Sequence, residues 1–152
     1  MALVTFRVAG IPQTKGSASA APFKRTRGPR AGQMGVRVFN DNPKAKAWAA
    51  LVSAAARAAI GSGAILSGAV SISLTFYLPR PKAHYKPDGS VRESAPRHPI
   101  VRPDGDKLER CTWDALTRVA WGDDAQVVAW SGRKIYAGAE GPGVLVEVQE
   151  MD

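Results

Sequence analysis

The sequence predicts one small α+β domain whose elements run strand, helix, strand, helix, strand, strand. Three observations carry this reading: a clean period-two alternation over residues 69–78, two stretches with helical apolar spacing, and a length of 152 residues without internal repeats. A chain of that length can bury a real core without covalent staples. Hydrophobic residues make up 45% and charged residues 22%, the balance of a globular protein rather than a disordered one.

Residues 3–9 set Val4, Phe6 and Val8 against Leu3, Thr5 and Arg7, a half-buried strand that Gly10-Ile11-Pro12 ends. Residues 13–42 read as a long irregular arm carrying Lys15, Lys24, Arg25, Arg27, Arg30 and Arg37. Loops of such length are functional or disordered, and the cations point to phosphate contact. Asp41 or Asn42 is a candidate helix cap with Pro43 at the first helical position. From Lys44 to Ile60 the chain is Ala-rich, with Trp48, Leu51, Val52, Ala55 and Ala59 at helical spacing, until Gly61-Ser62-Gly63 stops it.

In residues 69–78 one face holds Val70, Ile72, Leu74, Phe76 and Leu78, and the other is mostly hydroxyls. Prolines at 79, 81, 87, 96 and 99 then exclude a regular element from residues 79–103. With Arg80, Lys82, Lys86, Arg92, Arg97 and Arg102, this is a second basic loop. A helix follows from about Lys107 to Ala120, its stripe formed by Leu108, Cys111, Ala115 and Val119 with Thr112 and Leu116 alongside. Residues 126–137 read as a strand, Gly138 to Gly143 as a turn, and Val144–Val148 as the last strand and its hairpin partner.

Lys and Arg number 21 against 13 Asp and Glu, a formal net charge of +8. That surplus suggests a polyanionic partner; the plain alternative is a solvated basic surface. The single cysteine, Cys111, excludes an internal disulfide and a cysteine-based zinc site. His84 and His98 alone make no zinc cluster. Neither a signal peptide nor an apolar run of membrane-spanning length is expected, so the default is a soluble protein of a reducing interior.

Against this basic background the acids stand out. Asp104 and Asp106 flank a glycine between a proline-rich loop and a helix start, where a turn can aim both carboxylates at one point. Magnesium takes hard oxygen ligands, often one or two carboxylates with water and substrate phosphate. Each aspartate also has a structural reading: Asp106 as a helix cap, Asp104 or Asp123 as a turn residue. Carboxylates set between basic loops either repel a polyanion or are neutralised by metal. Asp123-Asp124 lies beyond the helix, about 20 Å of axis from its start. These two return to Asp104 and Asp106 only if the next strand folds back or a second subunit brings its own copies. Asp106, Arg110 and Asp114 share one helix face, so Lys107 and Arg110 lie near the acids, either as surface ion pairs or as cations that stabilise charge on a phosphate.

The segments Arg102-Pro103-Asp104-Gly105-Asp106-Lys107-Leu108, Trp113-Asp114-Ala115-Leu116-Thr117 and Asp123-Asp124-Ala125-Gln126-Val127-Val128 together resemble the RusA-type Holliday junction resolvases. Phe6-x-Val8-x-Gly10-x-Pro12-x-x-Lys15 is similar to that family's opening strand and basic turn, and Lys134 fits its lysine in the strand after the acids. The resemblance runs from about residue 4 to 150. It implies a small mixed four-stranded sheet with two main helices and an intertwined homodimer that nicks four-way DNA junctions in pairs with magnesium, or manganese in its place. It also implies a bacteriophage or prophage protein working in the cytoplasm of a bacterial host. Carried over by position, Asp104, Asp106 and Asp124 would hold the metal with Asp123 beside them. Lys15, Lys24, Arg25, Arg27 and Lys134 would contact DNA. The family's asparagine falls on Lys107 and its catalytic lysine on Arg110, two departures; arginine keeps the charge but gives up no proton near neutral pH. The competing expectations are a non-catalytic branched-DNA-binding module and a basic structural or RNA-associated protein.

Overall fold

The computed structural model describes residues 3–16, 18–40 and 42–152. Its centre is a mixed four-stranded sheet ordered β1-β6-β4-β5, built from β1 (Leu3–Ala9), β4 (Ala69–Leu78), β5 (Val127–Tyr136) and β6 (Gly143–Met151). β6 runs antiparallel to both β1 and β4, whereas β5 runs parallel to β4 and forms an edge. Helices α1 (Ala45–Ile60) and α2 (Gly105–Leu116) pack against each other, α1 also on β1 and α2 also on β5. The α+β class and the four-stranded sheet are as the sequence predicts.

The alternation in β4 becomes the core. Val70, Ile72, Leu74, Phe76 and Leu78 are all buried, meeting Val144, Val146 and Val148 of β6 and, from the helices, Trp48, Val52, Leu108, Cys111 and Leu116. On α1 the buried stripe is Ala45, Trp48, Val52 and Ala56. Leu51, expected on that stripe, is 53% exposed instead, because a spacing of three from Trp48 overshoots the narrow face that meets the sheet. The α1 start also differs from expectation. Pro43 precedes the helix; Asn42 Oδ1 accepts from the Lys44 N–H at 3.1 Å and makes a turn into it. Asp41, the other candidate cap, lies outside the described residues.

Four further expectations are corrected. Residues 13–42 are not irregular throughout: β2 (Ala18–Lys24) and β3 (Met34–Asn40) pair antiparallel as a separate two-stranded hairpin. α2 ends at Leu116 rather than Ala120, since Arg118 takes a positive φ of 66° and turns the chain so that Trp121 enters the core fully buried. Nor are β5 and β6 hairpin partners. β4 lies between them, and residues 137–142 step over its end, held by the Ala137 N–H on Leu78 O at 2.8 Å. Two inter-strand spacings, about 10 Å, are within easy reach of six residues. The proline-rich stretch after β4 also holds one short 3-10 turn, Lys82–His84, where no regular element was expected.

Truncating a core side chain separates the real stripe from the apparent one. Ile72→Ala should cost about 2–5 kcal/mol and Leu51→Ala less than about 0.5 kcal/mol, read from urea unfolding of the two variants.

Candidate functional site

The site is organised by one relation: α2 lies across the helix-facing row of β5 in the opposite direction. Register with β4 puts Trp130, Gly132 and Lys134 on the side of Ile72, Leu74 and Phe76. Near the C-terminal end of α2, Trp113 meets Trp130 edge-on at 5.8 Å between ring centres. In the middle, the Glu109 carboxylate sits over Gly132, in space that a Cβ there would occupy. At the N-terminal end, Lys134 Nζ donates to Val101 O at 2.8 Å and Pro103 O at 2.9 Å. Lys134 thus clamps the loop that delivers Asp104, and two of its three donors are used inside the protein.

Asp104 stands at the N-cap position of α2 yet makes no capping hydrogen bond with its side chain. Its carboxylate is half exposed and faces Lys107 Nζ at 3.6 Å. Asp106, in the first turn, is exposed and has no hydrogen bond or ion pair among the described residues. The structural reading of Asp106 as the cap is therefore not the one realised. Arg110 is exposed one turn further along. Thr14, Arg102, Pro103, Asp104 and Lys107 line an open depression of about 360 Å³ beside these acids.

The loop after β1 docks on the same helix. The Lys15 N–H donates to Lys107 O at 3.2 Å, and Lys15 Nζ pairs with Asp114 Oδ2 at 2.5 Å. Lys15, expected on DNA, is thereby also a strut between loop and helix. Lys24, Arg25 and Arg27 cluster instead at the far end of the β2–β3 hairpin, with Arg25 and Arg37 stacked toward the Phe23 ring at 5.6 and 5.2 Å. The hairpin was missed in the sequence because its period-two signal, Met34, Val36 and Val38, is interleaved with glycine and arginine. All three are about two-thirds exposed.

Asp123 and Asp124 lie at the opposite end of α2. Asp123 caps the short 3-10 turn Asp124–Gln126: its Oδ1 accepts from the Ala125 N–H at 2.8 Å, and Gln126 Oε1 accepts from the Asp123 N–H at 2.9 Å. Asp124 Oδ1 accepts from Thr117 Oγ1 at 2.5 Å and from the Trp121 indole N–H at 3.0 Å. With 12 residues in α2, the two acidic groups are separated by about 18 Å of helix. Among the described residues no three His, Cys, Asp or Glu side chains gather around one point. One chain brings Asp104, Asp106, Lys107 and Arg110 together; Asp123 and Asp124 stay apart from them.

Glu109, on α2 between Asp106 and Arg110, is not an ordinary solvated acid. It is partly buried, and desolvation first, then the nearby charge of Asp106, raises its carboxyl above the ordinary range. The clue available in the sequence was Gly132, a glycine inside a strand, which marks a close approach. Cys111 is a core thiol: burial pushes it up, reinforced by Asp114 and opposed by Lys15.

Exposed carboxylates that cap nothing, set at a helix start among Lys and Arg, are a donor set suited to a divalent cation and a phosphodiester. The comparisons agree with that class. Residues 20–149 match the family described as Endodeoxyribonuclease RusA, and the chain belongs to that family. It is also 33% identical over 89 residues to the uncharacterized protein YqaN of Bacillus subtilis (strain 168), covering 57% of this chain and 61% of the relative. The match thus spans less than two thirds of that relative's length. No described helix is long and apolar enough to cross a membrane.

Two outcomes test the local geometry. Replacing Lys134 by Met removes both bonds to the loop, and amide exchange at Leu108, whose N–H donates to Asp104 O at 3.1 Å, should quicken by about tenfold or more. For Glu109 the sign follows from linkage. A carboxyl raised in the folded state binds more protons there than when unfolded, so its contribution falls as pH rises above the ordinary value of 4.5. Glu109→Gln should therefore gain melting temperature over wild type at about pH 7, and the gain should shrink toward about pH 4.

Proposed function

We propose that this chain is a homodimeric, magnesium-dependent endonuclease that resolves four-way DNA junctions, a phage or prophage protein working in the cytoplasm of its host. The observation that carries the reading is the pair of exposed carboxylates at the start of α2 within cationic loops, Asp104 facing only Lys107 and Asp106 without a partner among the described residues. Acids left this exposed in a basic chain are ones that a bound metal would neutralise.

The same geometry supports the dimer reading. β5 is an edge strand, and its exposed Val128 and Trp130 are 57% and 60% accessible. A second copy pairing antiparallel along that edge sets the start of one β5 beside the end of the other. Asp124 of each copy then approaches Lys134, Asp104 and Asp106 of its mate. The donor set fits a hard divalent cation: Asp104 and Asp106 are open, and Asp124 has one carboxylate oxygen not engaged by Thr117 or Trp121. Asp123, committed to its capping box, holds Asp124 in place. Asp104, Asp106 and Asp124 would hold magnesium or manganese, which when bound would acidify water and neutralise charge on the phosphate. Lys107 and Arg110 steady the charge that builds on the phosphate oxygens. Lys24, Arg25 and Arg27 on the hairpin, with Lys15, hold the DNA backbone, and this binding weakens steeply with salt.

A synthetic four-way junction with magnesium tests the reading. Wild type should nick opposite strands, and Asp106→Asn should lose about 10²-fold or more while still binding. Mixing the inactive Asp106→Asn and Asp124→Asn chains should restore part of the activity, since a mixed dimer keeps one site with both acids intact. A wild-type chain that binds junctions but never cuts them with either metal favours the non-catalytic branched-DNA-binding alternative. No recovery on mixing returns the site to a single chain.

A further inference from the structure

Next to the acids lies a recess that the proposed mechanism does not use. It measures about 160 Å³ and is walled by Ile11, Pro12, Pro81, Pro99, Val101 and Tyr136. We infer that this slot receives one nucleobase, unstacked at the branch point, from the strand whose phosphate lies at Asp104 and Asp106. The inference rests on the endonuclease reading above and adds to it a binding site for the base.

Position argues for it first. Arg102 and Pro103 line both the slot and the depression beside Asp104, so a single stretch of backbone separates them. A nucleotide whose phosphate sits on the acids must put a neighbouring base close to this wall. The size argues next: pockets that take whole small molecules begin at roughly 300 Å³, and this one suits a single ring system. Its chemistry matches a base face. The walls are prolines, aliphatic side chains and one tyrosine, which bury or stack a flat ring without reading its edges.

The charge around the slot matches a nucleic acid strand: Arg102 is on its lining, and Arg80 and Lys82 border the prolines at 79 and 81. Its form is pre-set. Arg80 stacks on Tyr136 at 4.1 Å, His84 meets the same ring edge-on at 5.7 Å, and Lys134 holds Val101 O. At its lip, Ile100 and Val101 are 82% and 60% exposed, apolar side chains held out beside a polyanion site. Apolar wedges in DNA-binding proteins insert between base steps and pay for unstacking with surface they cover. A base in continuous duplex cannot enter without that cost, whereas a base at a branch has already lost a stacking neighbour. The slot therefore favours branched over continuous DNA without a sequence code.

The test uses a four-way junction carrying 2-aminopurine at the branch, bound by the full-length Asp106→Asn chain. Its fluorescence should rise severalfold on binding, and adding Val101→Phe, which fills the slot, should remove most of the rise. In the otherwise wild-type chain, Val101→Phe should raise KM for the junction about tenfold with little change in kcat. Ile11→Ser should act in the same direction, and it serves if Val101→Phe melts early. An unchanged fluorescence rise with unchanged KM, in a chain that still cuts, overturns the slot and leaves the endonuclease reading intact. If wild type does not cut, that reading fails, while the fluorescence on binding still decides the slot. A change in oligomeric state with Val101→Phe, seen by sedimentation, would show that a second copy covers the recess, and overturns the inference too.

Discussion

The antiparallel crossing of α2 over β5 is the constraint on which the site depends. The parallel pairing of β4 with β5 requires a crossover connection, and α2 supplies it. Its apolar face, led by Leu108, Thr112 and Leu116, is buried against the sheet and leaves no freedom to rotate. Asp106, Lys107 and Arg110 are then forced outward at one end, and Asp124 is forced to the other. The distance between the acid groups is a consequence of core packing and not of the acids themselves. Lys134 extends the same constraint into the loop before α2, because its stem rises from β5 beside Phe76 and its ammonium reaches Val101 O and Pro103 O.

What the sequence made legible was periodicity. The β4 alternation and the Leu108, Cys111, Ala115 stripe follow from spacing that local physics imposes. What it hid were properties of neighbours. Whether β6 pairs with β5 or slips between β1 and β4 depends on Val144, Val146 and Val148 finding buried partners on both sides, which no local pattern encodes. The early end of α2 depends on Trp121 filling the core, a tertiary gain that outweighs continuing a helix through Arg118 and Val119. The Met34, Val36, Val38 alternation was visible, but no buried face stood behind it to identify it. For the site, Asp104 and Asp106 stood out through their spacing at a helix start in a basic chain and through the segments that resemble the RusA-type resolvases. The fixed position of Lys134, the cap made by Asp123 and the partial burial of Glu109 were not, since each depends on a residue more than 20 positions away or on a turn formed only in the fold.

The net charge of +8 hides a division of labour. Some cations act inward: Lys15 on Asp114, Lys134 on two carbonyls, Arg7 on Glu140 at 3.4 Å and on Gly141 O at 2.8 Å, and Arg80 on Tyr136. Exposed ion pairs of this kind add little stability on their own, so their value lies in holding loops against elements. Arg27 and Arg30 at the hairpin turn, and Arg110 on α2, have no such internal task among the described residues and face solvent. A polyanion meets these first.

Arg110 then bears on the chemistry in a way that lysine would not. Its guanidinium stays charged at any working pH and offers a planar fork matched to phosphate oxygens. It can hold two oxygens of a phosphodiester, but it has no proton to give a departing oxygen. Lys107, the other cation on this turn, faces Asp104 at 3.6 Å, which ties it to the acid. In the proposed reaction this pair would serve electrostatic stabilisation, and the leaving oxygen would take its proton from solvent. The depression beside Asp104 is open enough to admit that water, whereas an enclosed site would have required a titrating side chain in its place.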